Sequence, residues 1–409
     1  MQFRHLEFCG ALSAVANIES PLEHVMETVV NFEDALDYSG QAYMSEFKRV
    51  RFNNAMQYLS FSIPFSREVL IQTVQRCSLI HALYEVVSEG TTYEELSENA
   101  IQDGGLDDMT SGQENGDSSW CLRVRHYGET SGETKQRRYG DRTRSMTMER
   151  EALRILTPLL LRFGGKVDLN KPDVKIYIFD GMKKNHTVLV RRLVLGARVS
   201  SIAPPTRICE TNTPLCPVAA FALCNVARLR PQHKILDTFA GSGAILLAAS
   251  MIEPSCEMVG IEIAHNGLVN RDDIRKDFST RDLTQPKALL KGDCTDASVR
   301  VEARSVIGDQ PFDLIVTDPP YGIRESTLER LPTDELMRLI SNDRIKGTPI
   351  LKKGGRLVCF VPCHEDEQIE KIIPPNDDLE EAGLVLEAMR EQPLNSKLSR
   401  WLVSFVCVK

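Results

Sequence analysis

The stretch "ILDTFAGSGAI" (residues 235–245) decides how the second half of this chain folds. Two apolar residues lead into an acid, Asp237. Gly241 and Gly243 follow, and an apolar helical run begins at once. Glycines at such a turn let the backbone bend sharply and approach a ligand, beside the N–H groups of a helix N-terminus. No Lys-Ser/Thr pair follows them, so this is not a Walker phosphate loop. Nor is it a regular G-x-G-x-x-G dinucleotide turn. An acid ahead of the glycines suits a ligand with a cationic amino group. Taken alone, the stretch fits an ordinary glycine-rich βα turn equally well.

The flanking sequence repeats the pattern. From about residue 206, strand-like runs ("KILDTF", "EMVGIEI", "KALLKGD", "FDLIVTD", "GRLVCFVP") alternate with helical ones, and "SRWLVSFVCVK" fits a further strand at the sheet edge. Such alternation predicts an α/β fold: an open, largely parallel sheet with helices on both faces. In these sheets ligands bind beyond the carboxyl ends of the strands, where the strand order switches direction. Glu262 ends the second strand about 20 residues after the glycines, where an acid typically holds ribose hydroxyls. Asp293 ends the third strand and is placed to read an adenine amine, although a turn or helix cap explains it as well. The fourth strand ends in "TDPPYGIRE" (317–325). A lone DPP is often only a turn, but here it is the fourth suspicious strand end in one sheet.

These motifs together make residues 206–409 resemble a class I S-adenosylmethionine-dependent methyltransferase with a Rossmann-like sheet. The resemblance is to the amino-methylating type, which carries Asp, Asn or Ser, two prolines and an aromatic residue after the fourth strand. It implies that Asp237, Phe239, Gly241 and Gly243 line the methionine part of the cofactor, that Glu262 holds its ribose, and that Asp293 and Cys294 lie at the adenine. It makes Asp318, Pro319, Pro320 and Tyr321 the catalytic stretch. The chemistry is consistent with this. An amine conjugated to a ring is a poor nucleophile, and Asp318 with the Pro319 carbonyl can accept its two N–H bonds and aim its lone pair. The prolines add stiffness and no competing donor. Tyr321 offers a π-face to a planar base.

The chain has 409 residues, enough for two or three domains, with an ordinary soluble balance of 42% hydrophobic and 26% charged residues. No apolar run reaches membrane-span length. The N-terminus lacks the basic-then-apolar pattern of a cleaved signal. Eleven scattered cysteines without zinc-site spacing predict reduced thiols, no metal and a cytoplasmic location. Residues 1–88 read as a small α+β (ferredoxin-like) domain. In it "FRHLEFCGAL" opens like a strand and a helix capped by Ser66 runs over 66–87. An acidic, flexible linker or loop spans 89–119, with some helix expected at "TYEELSENAI", and a further unit occupies 120–205.

The net charge of −8 argues against nucleic acid for the chain as a whole, but the charge is uneven. Between 162 and 207 the only acids are Asp168, Asp173 and Asp180, among nine lysines and arginines counted from Lys166. A locally basic unit suits a phosphate backbone, although each such residue alone is equally a solvated charge. With "FSREVLIQTVQRCSLIHALYEV", "FGGKVDLNKPDVKIYIF" and "TDPPYGIRE", the chain resembles the tRNA (guanine-10-N2)-methyltransferase family. Residues 120–205 are then similar to a THUMP domain, an RNA-binding module. The resemblance implies methyl transfer to the N2 amine of a tRNA guanosine and a small zinc-binding activator subunit as partner in a heterodimer. Arg137, Arg138, Arg191, Arg192 and Arg324 are the expected RNA contacts, with a salt bridge to Glu325 an equal reading for Arg324. The alternatives are an amino-methyltransferase acting on rRNA guanine or DNA adenine, a protein glutamine methyltransferase, and a non-catalytic RNA-binding protein that keeps the fold. Upstream of the core the family's Thr-Ser-Met-like stretch is replaced by "CETNTPLCPVAAFALCNVA" (209–227), a departure that removes no catalytic residue.

Overall fold

The computed structural model describes residues 3–20, 22–25, 31–34, 43–47, 58–62, 65–104, 118–126, 149–183, 186–211, 214–263, 269–321 and 349–409. The chain divides into two compact units, each discontinuous. One holds Met1–Val29, Phe65–Leu79 and Gly196–Lys409; the other holds Val30–Pro64 and Ile80–Leu195. This differs from the linear division into 1–88, 89–119, 120–205 and 206–409.

The first unit is built on a seven-stranded sheet. Its strands are β1 (Lys234–Asp237), β2 (Glu257–Glu262), β3 (Ala288–Lys291), β4 (Phe312–Thr317), β5 (Leu351–His364), β6 (Leu384–Pro393) and β7 (Leu398–Cys407). Their order is β3-β2-β1-β4-β5-β7-β6. The pairs from β3 to β5 are parallel, and β7 runs antiparallel to both β5 and β6. Strands covered on both faces need apolar side chains at successive positions rather than alternating ones. Leu314, Ile315 and Val316 of β4 are 2% exposed or less, as are Ile235 and Leu236 of β1. The expected α/β sheet is therefore present, with β4 beside β1 and β2 on the other side of β1. The strand order switches at that point.

Six helices of this unit position the site. They are α1 (Arg4–Val15), α2 (Arg67–Arg76), α3 (Pro217–Val226), α4 (Ala244–Ile252), α5 (Arg271–Ser279) and α6 (Ala297–Val306). Two expectations are corrected here. "FRHLEFCGAL" is helical, not a strand. Residues Leu6 to Ala14 are all buried, so the segment offers no polar face from which a period could be read. A Cβ on Gly10 would stand 2.3 Å from the Asn225 carbonyl oxygen, so α1 lies backbone-close on α3. The helix begun at Ser66, whose side chain caps it as expected, stops at Arg76 rather than running to 87. The reason is Glu7. Its fully buried carboxylate accepts the backbone N–H groups of Ser78 (2.7 Å) and Leu79 (2.8 Å), the Ser78 hydroxyl (2.7 Å) and the Asn225 amide (3.2 Å). Those N–H groups are thereby taken out of the helix ladder, and the chain continues as the strand Ile80–Gly90.

The second unit carries an eight-stranded sheet. Its order is Asn31–Asp34, Tyr58–Ser62, Tyr43–Phe47, Ile80–Gly90, His186–Leu195, Val174–Lys183, Ser119–His126 and Lys166–Val167. Trp120, Leu122, Val124, Ile176 and Ile178 form its core with Leu96 and Ala100 of the helix Tyr93–Gln102. Part of the stretch read as a linker is thus a packed helix. It is capped by Thr92, whose side chain accepts from Glu95 N, while the Glu95 carboxylate accepts from Thr91 N. Among the described residues no helix is long and apolar enough to cross a membrane.

The Glu7 network yields a direct test. Glu7→Ala leaves the buried N–H groups of Ser78 and Leu79 without an acceptor, each costing ~1–3 kcal/mol, while the Ser78 hydroxyl keeps the Val218 carbonyl. The variant is expected to lose at least ~2 kcal/mol in urea unfolding, whereas Glu7→Gln loses less. Equal stability of Glu7→Ala and the parent would contradict the role of this contact.

Candidate active site

Two acids end the strands on either side of the switch. Asp237, at the end of β1, is 1% exposed. Its Oδ1 accepts the Thr317 hydroxyl at 2.9 Å and the Phe239 N–H at 3.2 Å. Thr317 is the last residue of β4. Its oxygen in turn accepts from the Thr238 hydroxyl at 3.1 Å and from the Phe239 N–H at 3.2 Å. The ends of β1 and β4 are therefore joined by side chains as well as by the backbone ladder. Burial pushes the Asp237 carboxyl up to about 7; the Thr317 and Phe239 hydrogen bonds oppose the rise, and the charges of Glu262 and Asp318 add to it.

The glycine-rich turn is held from two sides. Gly241 has φ +49° and donates its N–H to the Glu262 carboxylate at 2.6 Å. Gly243, with φ +77°, is the N-cap of α4 and donates to the Ala240 carbonyl at 2.7 Å. Positive φ at both positions explains why the sequence has glycine there. On the other side, the Arg207 guanidinium donates to the Ser242 carbonyl and, through Nε, to Asp277 of α5 at 2.9 Å. Asp277 also accepts the backbone N–H groups of Ile208 (2.9 Å) and Cys209 (3.1 Å) and the Arg281 guanidinium (2.9 Å). A cavity of about 230 Å³ adjoins this support, lined by Arg207, Cys209, Glu210, Thr211 and Ser242 together with Pro204, Pro205 and Pro214.

Asp293 is exposed two residues after β3, and its Oδ1 accepts from the Thr295 N–H and hydroxyl, both at 2.8 Å. Its carboxylate thus shapes the turn ahead of α6. Cys294 beside it is buried, which pushes its thiol up to about 12.

At the end of β4, Pro319 is buried, and Asp318, Pro320 and Tyr321 are half-buried. The Tyr321 hydroxyl donates to Asp318 Oδ1 at 2.8 Å. Burial raises the phenol above its ordinary range, and the Asp318 charge adds to the rise. Arg137, Arg138 and Arg324 lie outside the described residues. Arg191 and Arg192 belong to the second unit. Arg191 is ion-paired with Glu85 (Nε to Oε2, 3.0 Å), and Arg192 donates to the Tyr177 hydroxyl at 3.3 Å.

The sequence reading missed Thr317, Arg207 and Asp277. Thr317 left a faint signal, a hydroxyl closing an otherwise apolar strand. Arg207 and Asp277 meet across 70 residues, which no local pattern encodes.

A parallel core with an antiparallel strand beside β5, a glycine-rich turn after β1 and acids at four strand ends define a class I methyltransferase. The family model and the sequence relatives agree. Residues 204–380 match the family model described as "RMKL-like, methyltransferase domain". The chain is 24% identical to the tRNA (guanine(10)-N(2))-methyltransferase TRMT11 of Rattus norvegicus, covering 84% of this chain and 78% of that one. It is 30% identical to the tRNA (guanine(10)-N2)-dimethyltransferase of Methanothermobacter thermautotrophicus, over 49% of this chain and 54% of that one. Among solved structures, TrmN from Thermus thermophilus aligns over 90% of this chain and all of its own, at 18% identity and a TM-score of 0.43. The chain is an enzyme of the methyltransferase class, and its cofactor is S-adenosylmethionine.

The residues present fit that group. S-adenosylmethionine carries an ammonium and a sulfonium, and the site gathers three carboxylates, Asp237, Glu262 and Asp318, the latter two close enough to raise the cost of ionising Asp237. Gly241 and Gly243 leave the turn without side chains to block an approach.

This charge cluster predicts a linked proton. The folded-state value of Asp237 is raised from 3.8 towards 7, so ionising it destabilises the free protein progressively between those pH values. A cation bound beside it restores the ionised form. Calorimetry of S-adenosylmethionine binding in buffers of different ionisation enthalpy is expected to show proton release approaching one at pH 6 and none at pH 8.5. Asp237→Asn should remove both the release and most of the affinity. Proton uptake at pH 6 would contradict the assignment.

Proposed function

We propose that the chain transfers a methyl group to the exocyclic N2 amine of a guanosine in tRNA, at position 10. The observation that carries this reading is the Asp318-Pro319-Pro320-Tyr321 turn, set at the end of β4 across the switch from Asp237. It is supported by the activity for which relatives that align with most of the chain are named.

In this reading the bound cofactor supplies an electrophilic methyl on a cationic sulfur. Everything else is done by the chain. Asp237 and the turn through Gly241 and Gly243 take the amino-acid end, Glu262 the ribose, and Asp293 and Cys294 the adenine edge. Asp318 and the Pro319 carbonyl each accept one N–H of the guanine amine, which bends the nitrogen out of conjugation and points its lone pair at the methyl. The Tyr321 ring stacks on the base, worth ~1–3 kcal/mol. The cofactor would supply the methyl to that lone pair, and the amine proton would leave to Asp318 or to water. Because the methyl donor is already activated, no strong base is needed.

The RNA is gripped by the second unit and the region read as THUMP-like. Arg192 and, in the stretch outside the described residues, Arg137 and Arg138 serve the phosphate backbone, with Arg324 beside the target base. Arg191, paired with Glu85, is the weakest member of that set. A small zinc-binding activator subunit is the partner, and the cytoplasm is where the enzyme works.

Cells lacking this protein should lose N2-methylguanosine from position 10 of tRNA, read by nucleoside and fragment mass spectrometry. A parent gene should restore it. Asp318→Ala should restore none while the purified variant still binds S-adenosylmethionine, with turnover down by on the order of 100- to 1000-fold. Unchanged tRNA with altered rRNA or DNA methylation would instead favour the other nucleic acids. Full activity of Asp318→Ala would remove that residue from catalysis.

A further inference from the structure

Arg207 is 8% exposed, an unusual burial for a guanidinium, and Asp277 is fully buried. Arg207 Nε donates to Asp277 Oδ2 at 2.9 Å, and Nη2 donates to the Ser242 carbonyl. Ser242 stands one residue ahead of Gly243, the N-cap of α4, so its carbonyl lies outside the ladder of that helix. Asp277 belongs to α5, and the same face of α5 meets the turn again three residues earlier. A Cβ on Gly243 would lie 3.0 Å from Ile274 Cγ2. The turn is thus backed by α5 directly at Gly243 and, through one guanidinium, at Ser242. Asp277 also accepts the backbone N–H groups of Ile208 and Cys209. The cavity of about 230 Å³ is lined by Ser242 from the turn and by Cys209, Glu210 and Thr211 from the other segment. Both segments are fastened to one ion pair.

We infer that Arg207 is a positioning residue for the amino-acid end of S-adenosylmethionine: it fixes the glycine-rich turn against the 207–211 stretch, so that this end of the cofactor meets a pocket already in shape. The inference rests on the reading that the turn takes that end of the cofactor. A guanidinium is suited to the task because its planar fork reaches two acceptors at once in a set geometry. With Nε and Nη2 engaged by Asp277 and Ser242, Arg207 acts through the turn rather than on the ligand. A turn held in place beforehand has less freedom to lose when the ligand arrives, and affinity rises accordingly. The brace is separable from the fold. Without the Arg207 guanidinium, Asp277 keeps the Arg281 guanidinium at 2.9 Å and its two backbone donors, so no buried charge is left alone.

The full-length enzyme is compared with Arg207→Met and Arg207→Lys by titration calorimetry against two ligands. S-adenosylhomocysteine keeps the amino-acid end, whereas 5′-methylthioadenosine is the adenosine thioether without it. The parent should bind the first more tightly. Arg207→Met should weaken S-adenosylhomocysteine about 10- to 30-fold and leave 5′-methylthioadenosine within about threefold. Arg207→Lys, a point charge without the fork, should fall between Arg207→Met and the parent. A general loss of structure would weaken both ligands together, so the ratio of the two affinities isolates positioning. A parent that binds both ligands equally would sink the reading of the turn, and the inference with it. A parent that discriminates, beside an Arg207→Met variant that weakens both ligands alike or neither, would overturn the Arg207 inference alone. If Arg207→Met does not fold, Arg207→Lys is judged by the same ratio, and a ratio equal to the parent's overturns the inference.

Discussion

Asp237 lies 1% exposed at the end of β1, with two further acids near enough to make its ionisation costly. A buried carboxylate without a countercharge stays neutral or finds hydrogen bonds. Here the donors come from the neighbouring strand end and from the turn, through Thr317 and Phe239. That requirement fixes how β4 must finish beside β1, and so where the Asp318 turn begins. It also explains why the glycine-rich turn is braced rather than loose. Glu262 holds Gly241 from one side, and Arg207, anchored on Asp277, holds Ser242 from the other. The site is a set of acids kept at close quarters by hydroxyl and amide donors, ready for a cationic ligand.

A second buried charge organises the opposite kind of feature, pure architecture. Arg228 is 1% exposed and donates to the carbonyls of Ile18 and Ser20 and to Glu387, which also accepts from Arg356 and Ser404. Together with Glu7 it ties the N-terminal residues to the sheet unit by ionic hydrogen bonds, where apolar packing would have sufficed for stability. Such bonds are directional, so they specify register better than an apolar face of similar area. The early residues thus belong to the methyltransferase unit as firmly as those after 206.

Much of the site was legible because its parts are local. Asp237, Gly241 and Gly243 are a seven-residue pattern, Glu262 and Asp293 end the next two strands, and DPPY is contiguous. The parallel sheet followed from strands alternating with helices. What escaped was set by contacts between distant segments. "FRHLEFCGAL" is short and carries Arg4, His5 and Glu7 among its apolar residues, so its period is not decisive; close approach to Asn225 settles it as a helix. The helix from Ser66 keeps its apolar spacing past Arg76, and only Glu7 reveals why it stops.

The tie between Glu7 and Asn225 spans 218 residues. On a ribosome, chain grows at ~5–20 residues per second, so α1 is made on the order of ten to forty seconds before its resting place exists. During that interval a helix whose residues 6–14 are all destined for burial has only α2 and the Ser78–Leu79 segment to pack on. Newly made chains must therefore carry an unmatched apolar end until α3 emerges. This gives the nascent protein a window of dependence on holding factors that the finished enzyme no longer has.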